Sequence, residues 1–336
     1  MKITGVKATR PAGADQKSCI VELLTDAGAK GIAIAAAGAR AQIKRLVKER
    51  LIGADPRGVT GIWQLMSDPR SAPRGKAYRN AIAALDLALW DLKAKANGEP
   101  LWKTLGGARP RANAYASHRN PAASDAELTT WFQRMAREHG LRGGKLRAGA
   151  DANGDARRLG LMRAALAEAT PDPVLMIDAG HSWPVKQAID RVRAVEQQFD
   201  LTWIEGVSRD GDSRGLRQLS DSIYGAVCAG TGLVTIGEFL PHFERRSADV
   251  IALDIGAVGI TAALQIADAA YGLELPVTLA AAPGNIHVHL AGAMPYFMSA
   301  EIVDPLPATG LFTSDVRIAD GWAVAGDRPG NGLVLS

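Results

Sequence analysis

Val174-Leu175-Met176-Ile177-Asp178, followed after a run of helical periodicity over 185–197 by Leu201-Thr202-Trp203-Ile204-Glu205, reads as one strand–helix–strand unit. Each apolar run has the length of a buried strand, and each closes on a carboxylate. Short apolar strands joined by a helix-length connection point to a parallel strand–helix–strand unit. The same texture extends in both directions. Strands are predicted over 112–117, 144–147, 174–178, 201–205, 226–229, 250–254 and 276–280, most of them separated by helical runs such as 157–169. Seven or eight such units favour a closed barrel of the TIM type over an open doubly wound sheet, because no glycine-rich dinucleotide loop follows the first strand.

Upstream, the pattern is antiparallel: strands over 2–8, 18–24 and 31–35, the last two joined by the turn Thr25-Asp26-Ala27-Gly28. From 37 to about 97 the period becomes helical, with Ile82, Leu85, Leu89 and Leu92 on one face before Gly98-Glu99-Pro100. The tail from 310, ending in Asp327-Arg328-Pro329-Gly330-Asn331-Gly332, returns to turn-rich β character and is expected to fold back on the first domain. The expected organisation is α/β: an α+β domain over 1–110, completed by 310–336, and a barrel over 111–309.

The 336 residues exceed what a small module needs, and 47% hydrophobic with 22% charged residues is the balance of a soluble globular chain. The formal charge of +4 is spread along the chain and aromatics are 5%, which argues against a nucleic-acid groove. No apolar stretch reaches the roughly 20 residues of a bilayer span and no signal peptide opens the chain, so a cytoplasmic location without membrane contact is expected. Cys19 and Cys228 sit in separate apolar runs and are read as buried free thiols.

In a barrel of this type the chemistry gathers where strands end. Lys145 and Arg147 stand at i, i+2 on one strand face, Asp178, Glu205 and Asp254 close later strands, and Glu301 precedes another apolar pair. Carboxylates on adjacent strand ends suit a hard cation such as Mg2+. Singly, each acid is as well explained as a helix cap or a surface ion pair; their recurrence at strand ends argues for a site. His181, three residues after Asp178, is a candidate substrate contact; His287 and His289 resemble a ligand pair but are read as the start of a barrel helix, and His118, His139 and His242 as solvated.

The run from Ala83 through Asp86, Trp90 and Asp91 to Gly98, followed by Pro100-Leu101 and Leu105-Gly106-Gly107, resembles the signature helix of the mandelate racemase and muconate lactonizing enzyme branch of the enolase superfamily. Asp178-Ala179-Gly180, Trp203-Ile204-Glu205, the 254–261 run and Pro329-Gly330-Asn331-Gly332 are similar to its barrel and tail. The resemblance implies a capping domain over a modified (β/α)7β barrel, Mg2+ as cofactor, a small-molecule carboxylate substrate, homo-oligomeric assembly, and removal of the proton α to the carboxylate. In this family the metal supports the developing enediolate while a positioned side chain takes the proton.

Carried over residue by residue, the resemblance makes Asp178 and Glu205 the first two metal ligands. The third, a glutamate in the family, falls on Thr231 in Ala229-Gly230-Thr231-Gly232, where a neutral hydroxyl predicts weaker Mg2+ binding. Lys145 and Arg147 match the Lys-x-Lys or Lys-x-Arg motif, but a guanidinium is no base, so Arg147 is expected to neutralise substrate and Lys145 to be the titratable amine, its pKa open to depression by its cationic neighbour. Asp254 matches the acid of an Asp-His dyad whose histidine position lies in Leu279-Ala280-Ala281-Ala282. Glu301 matches a glutamate that donates to the enediolate, which requires it to be neutral. The stretch 11–17 is shorter than the family's substrate-covering loop. Acid sugar dehydration through one residue acting as base then acid is favoured over racemisation or epimerisation, which needs two bases. The alternative is a non-catalytic relative that has lost the third ligand and the dyad histidine.

Overall fold

The computed structural model describes residues 1–10, 17–68, 70, 75–149, 151–305 and 310–336; most of the short stretch expected to form a reduced lid lies outside them. The N-terminal strands β1 (Ile3–Thr9), β2 (Ser18–Thr25) and β3 (Lys30–Ala36) form an antiparallel sheet in that order. Alternation along β2 turns Cys19, Val21 and Leu23 into the core. Helices α1 (Arg40–Leu46), α2 (Val59–Ser67), α3 (Lys76–Asn97) and α4 (Leu101–Thr104) follow. Gly31 lets β3 lie directly on α3, since a Cβ there would stand 2.1 Å from the Ala88 carbonyl oxygen.

The signature helix α3 is buried on nearly all sides because it lies between this sheet and the barrel, and both of its acids are consumed as structural fasteners. Asp91 accepts hydrogen bonds from the Ile32 amide (2.7 Å), the Asn331 amide (2.8 Å) and Lys95 (2.5 Å). Asp86 accepts from the Thr261 amide (2.8 Å) and hydroxyl (2.6 Å), and the Trp90 indole donates to the same hydroxyl at 2.9 Å. Burial pushes Asp86 up to about 6, against the hydrogen bonds from Thr261 that favour its charge.

Eight parallel strands make the barrel: β4 (Arg111–His118), β5 (Gly143–Arg147), β6 (Val174–Asp178), β7 (Trp203–Glu205), β8 (Ala226–Ala229), β9 (Val250–Leu253), β10 (Val277–Leu279) and β11 (Phe297–Ile302). It closes where β11 pairs with β4. Helices α5 (Asp125–His139), α6 (Ala152–Leu166), α7 (Val185–Glu196), α8 (Ser213–Ser220), α9 (Ile236–Arg245) and α10 (Ile255–Tyr271) line the outside, and a 3-10 segment, Pro283–Ala293, joins β10 to β11. That segment, rather than an α-helix, carries His287 and His289, both wholly buried; burial pushes each down to about 4 and so keeps it neutral. Inside, Tyr115, Met176, Trp203, Cys228, Val250 and Ala252 form an apolar plug, so charged groups collect above it.

The tail makes two sets of contacts in chain order. Its hairpin, β13 (Arg317–Ala319) with β14 (Trp322–Val324), first extends the sheet at β4, and β12 (Phe312–Thr313) pairs with β15 (Val334–Leu335). Only then does it reach the capping domain, where Gly330 accepts from the Leu101 amide at 2.7 Å and Asn331 bridges Asp91 and the Ile32 carbonyl. Cys19 and Cys228 are buried free thiols. His242, expected in solvent, is buried instead, its Nδ1 2.8 Å from the Ser247 hydroxyl. No helix among the described residues is long and apolar enough to cross a membrane.

Candidate functional site

Arg147, Asp178, His181, Glu205, Thr231, Asp254 and Glu301 line one cavity of about 290 Å³ at the C-terminal ends of the barrel strands. Strand register brings them together: Arg147 pairs with Asp178 and Asp178 with Glu205 across neighbouring strands, so their side chains share the inward face. A larger cavity, of about 880 Å³, lies between α2–α3 and α9–α10 and takes none of these groups.

Lys145 is 3% exposed and lies against this cavity's charged wall, 2.5 Å from Glu205 Oε1 and 3.0 Å from Glu301 Oε1. Burial works against its charge, but the two carboxylates hold its ammonium well above the ordinary lysine range. This corrects the expectation of a depressed amine: the charged neighbour predicted to depress it, Arg147, is itself turned to Asp178 at 2.9 Å. Glu301 is corrected in the same way. Burial would raise it, but Lys145 and Arg119, the latter 2.5 Å away, hold it far below the usual carboxylate range, so it is ionised and not a donor. The Ala281 amide also donates to it at 3.0 Å. Burial pushes Glu205 up, and Lys145 offsets part of that effect.

The expected carboxylate ligands each hold a partner of the protein's own. Asp178 Oδ1 accepts from Arg147 and from the Gly180 amide at 2.8 Å, and Glu205 from Lys145 and, at 3.3 Å, from the Trp203 indole. Thr231 lines the cavity with a neutral hydroxyl, and among the described residues no three His, Cys, Asp or Glu side chains converge as ligands. Mg2+ takes oxygen ligands and keeps several waters; here Oδ1 of Asp178 and Oε1 of Glu205 meet the protein's own cations. Asp254 is engaged too, capping α10 through the Gly256 amide at 2.8 Å, and burial pushes it up. Just past the adjacent strand, the Ala280 amide donates to the Leu253 carbonyl at 2.9 Å, and the 279–282 stretch where a dyad histidine is expected carries none.

His181 has its Nδ1 2.8 Å from the Ser208 carbonyl and its Nε2 3.8 Å from Asp210 Oδ2, with backbone φ of 61° at His181 and 54° at Ser208. Asp210 in turn accepts from the Gly232 amide at 2.7 Å, a contact open only because residue 232 lacks a Cβ, which would sit 2.2 Å from the carboxylate. Arg119 and Asp210 were not among the expected site residues. Arg119 stands just past the end of β4 and was legible by the strand-end rule; Asp210 lies five residues beyond Glu205 in a loop, with no local signal.

Residues 3–106 match the family model of the mandelate racemase / muconate lactonizing enzyme N-terminal domain, and residues 127–336 the enolase C-terminal domain-like model. The chain is 31% identical over 298 residues to an L-talarate/galactarate dehydratase of Salmonella typhimurium, covering 86% of this chain and 72% of that protein. A 3,6-anhydro-alpha-L-galactonate cycloisomerase of Streptomyces coelicolor is 30% identical over 290 residues, 85% of this chain and 78% of its own. The crystal structure of L-talarate dehydratase from Polaromonas sp. JS666, complexed with Mg and L-glucarate, superposes with a TM-score of 0.87 at 29% identity, covering 100% of this chain and 95% of that one. Fold, site position and both domain matches agree: the chain belongs to the mandelate racemase / muconate lactonizing enzyme family of the enolase superfamily.

Proposed function

We propose that the barrel mouth binds the carboxylate end of an acid sugar and does not abstract its α-proton. The observation that carries this reading is the cavity at the strand ends, where Arg119 and Arg147 present guanidinium groups beside the polar side chains of His181 and Thr231. A guanidinium is well matched to a carboxylate, and the surrounding hydroxyl, imidazole and acidic groups suit a polyol. The cavity is near the lower end of the roughly 300–1,000 Å³ typical of small-molecule sites, which fits a compact ligand. The acid-sugar class comes from the relatives, whose names include L-talarate/galactarate dehydratase.

The strands that carry the family's bases offer no unengaged base here. Lys145 lies between two carboxylates, Arg147 is a guanidinium, and the 279–282 stretch where a dyad imidazole is expected holds only leucine and alanine. Dehydration, with Lys145 as its single acid–base group, is the second reading; the burial of Lys145 at the end of β5, directly beside the cavity wall, favours it. One experiment separates the two. Hexarates and hexonates are titrated calorimetrically into the protein and then incubated with it in D2O, with and without Mg2+, under proton NMR. Saturable binding with no deuterium uptake and no keto-acid product is expected. Metal-dependent exchange or elimination would establish dehydration instead, and the absence of binding to any acid of the set would overturn both readings.

A further inference from the structure

We propose that the floor of the barrel, at the end opposite the mouth, is a second binding site and takes an α-amino acid with an apolar side chain. A cavity of about 310 Å³ opens there, near the lower end of the range for small-molecule sites. Its inner wall is the apolar plug, through Tyr115, Met176 and Trp203, which lies between it and the charged mouth. Alternation along the strands builds the rest. Val174 stands two residues before Met176 and faces the barrel interior with it, yet is 43% exposed, an apolar face left uncovered on the cavity wall. Met298 packs against the plug and lines the same cavity. Gly143, two residues before Lys145, puts no side chain into this layer; a Cβ there would lie 3.2 Å from Val174 Cβ and 3.3 Å from Tyr115 Cβ.

The tail fixes the rim. The Gly321 amide donates to the His139 carbonyl at 2.9 Å, which holds the β13–β14 turn on the end of α5, and Gly140 makes room for it, since a Cβ there would stand 2.9 Å from Asp320 Cα. Arg142 and Asp320 both line the cavity and are exposed. Neither side chain makes a hydrogen bond or an ion pair among the described residues, so their charged atoms stand more than 4.0 Å apart. A simple anion would meet Arg142 but set a second negative charge beside Asp320. An α-amino acid carries a carboxylate and an ammonium on one carbon, so it can meet both groups and leaves the net charge of the site unchanged. Its apolar side chain then covers the uncovered face of the floor. The floor lies across the plug from the mouth, so its occupancy is independent of what the mouth binds.

The full chain is titrated calorimetrically with L-leucine, with glycine, and with 4-methylpentanoate, which is leucine without its ammonium. Leucine is expected to saturate with a Kd below about 5 mM. Glycine, which buries no side chain, and 4-methylpentanoate should each bind at least about fivefold more weakly. Arg142→Gln and Asp320→Asn, both at exposed positions, should each lower leucine affinity by about fivefold to tenfold with the melting temperature unchanged; asparagine accommodates the backbone φ of 53° at residue 320. Failure of leucine to saturate in that range would overturn the inference. So would glycine or 4-methylpentanoate binding as tightly as leucine, or undiminished leucine binding in either rim variant.

Discussion

Asp86 and Asp91 of α3 and Glu205 and Glu301 of the barrel mouth are all buried, yet they are satisfied by different partners. Asp86 and Asp91 accept mainly from backbone amides and a hydroxyl in the seam between the capping domain, the barrel and the tail. Glu205 and Glu301 instead face Lys145 and Arg119 beside an open cavity. Backbone amides cannot be redirected to a ligand, whereas a side-chain cation can. The signature helix is thus a fastening device, and the mouth a reservoir of charge that a ligand can engage.

The largest effect tests the fastening. Asp91→Ala leaves the Ile32 and Asn331 amides buried without acceptors and removes the partner of Lys95. A loss of about 3–5 kcal/mol is expected in chemical denaturation, enough to threaten the fold of a marginally stable chain. A loss under about 1 kcal/mol would mean that the seam tolerates the gap and that the contrast drawn here is wrong.

A second test reads the same seam through pH. Asp86 is raised to about 6 in the folded chain, above its unfolded value, so the folded state holds the proton more tightly. Its contribution is fully present below the unfolded pKa and is lost as pH rises through the folded one. The wild type should therefore gain about 2–3 kcal/mol relative to Asp86→Asn as pH falls from about 7 to about 4. Paired urea titrations at several pH values measure this. A flat difference would show that Asp86 is ionised throughout and that its hydrogen bonds outweigh its burial.

The same contrast explains what was legible in the sequence. Strands β6 and β8 are found at their predicted bounds because an apolar run ending on a polar residue or a turn marks both the strand and its end. Asp178 and Glu205 were found by that rule, and so were Lys145 and Arg147, whose i, i+2 spacing fixes their shared face. The 201–205 prediction overran the observed start of β7 because Leu201 continues the apolar run and Thr202, just ahead of Trp203, already bonds to the Leu175 carbonyl at 2.8 Å. Charge states were not legible at all. Lys145 meets Glu205 and Glu301 from two other strands, and no local window contains that encounter. Asp91 and Asp86 read equally well as functional or structural acids until Asn331 and Thr261, more than 150 residues away, are brought against them.

The smallest expected stability effect carries the sharpest functional one. Arg147 is part-exposed and pairs with a part-exposed Asp178, so Arg147→Ala should change stability by no more than about 1 kcal/mol, in contrast to the α3 fasteners. If the mouth is a carboxylate site, the same substitution removes the charge that meets the ligand, and acid-sugar affinity in calorimetry should fall by about tenfold to a hundredfold. Stability and affinity are thus predicted to separate at Arg147, whereas at Asp91 any loss of binding should follow loss of the fold. An Arg147→Ala chain that unfolds like Asp91→Ala would place Arg147 among the fasteners. One that stays folded and still binds the acid with undiminished affinity would move the anion contact to Arg119, across the cavity.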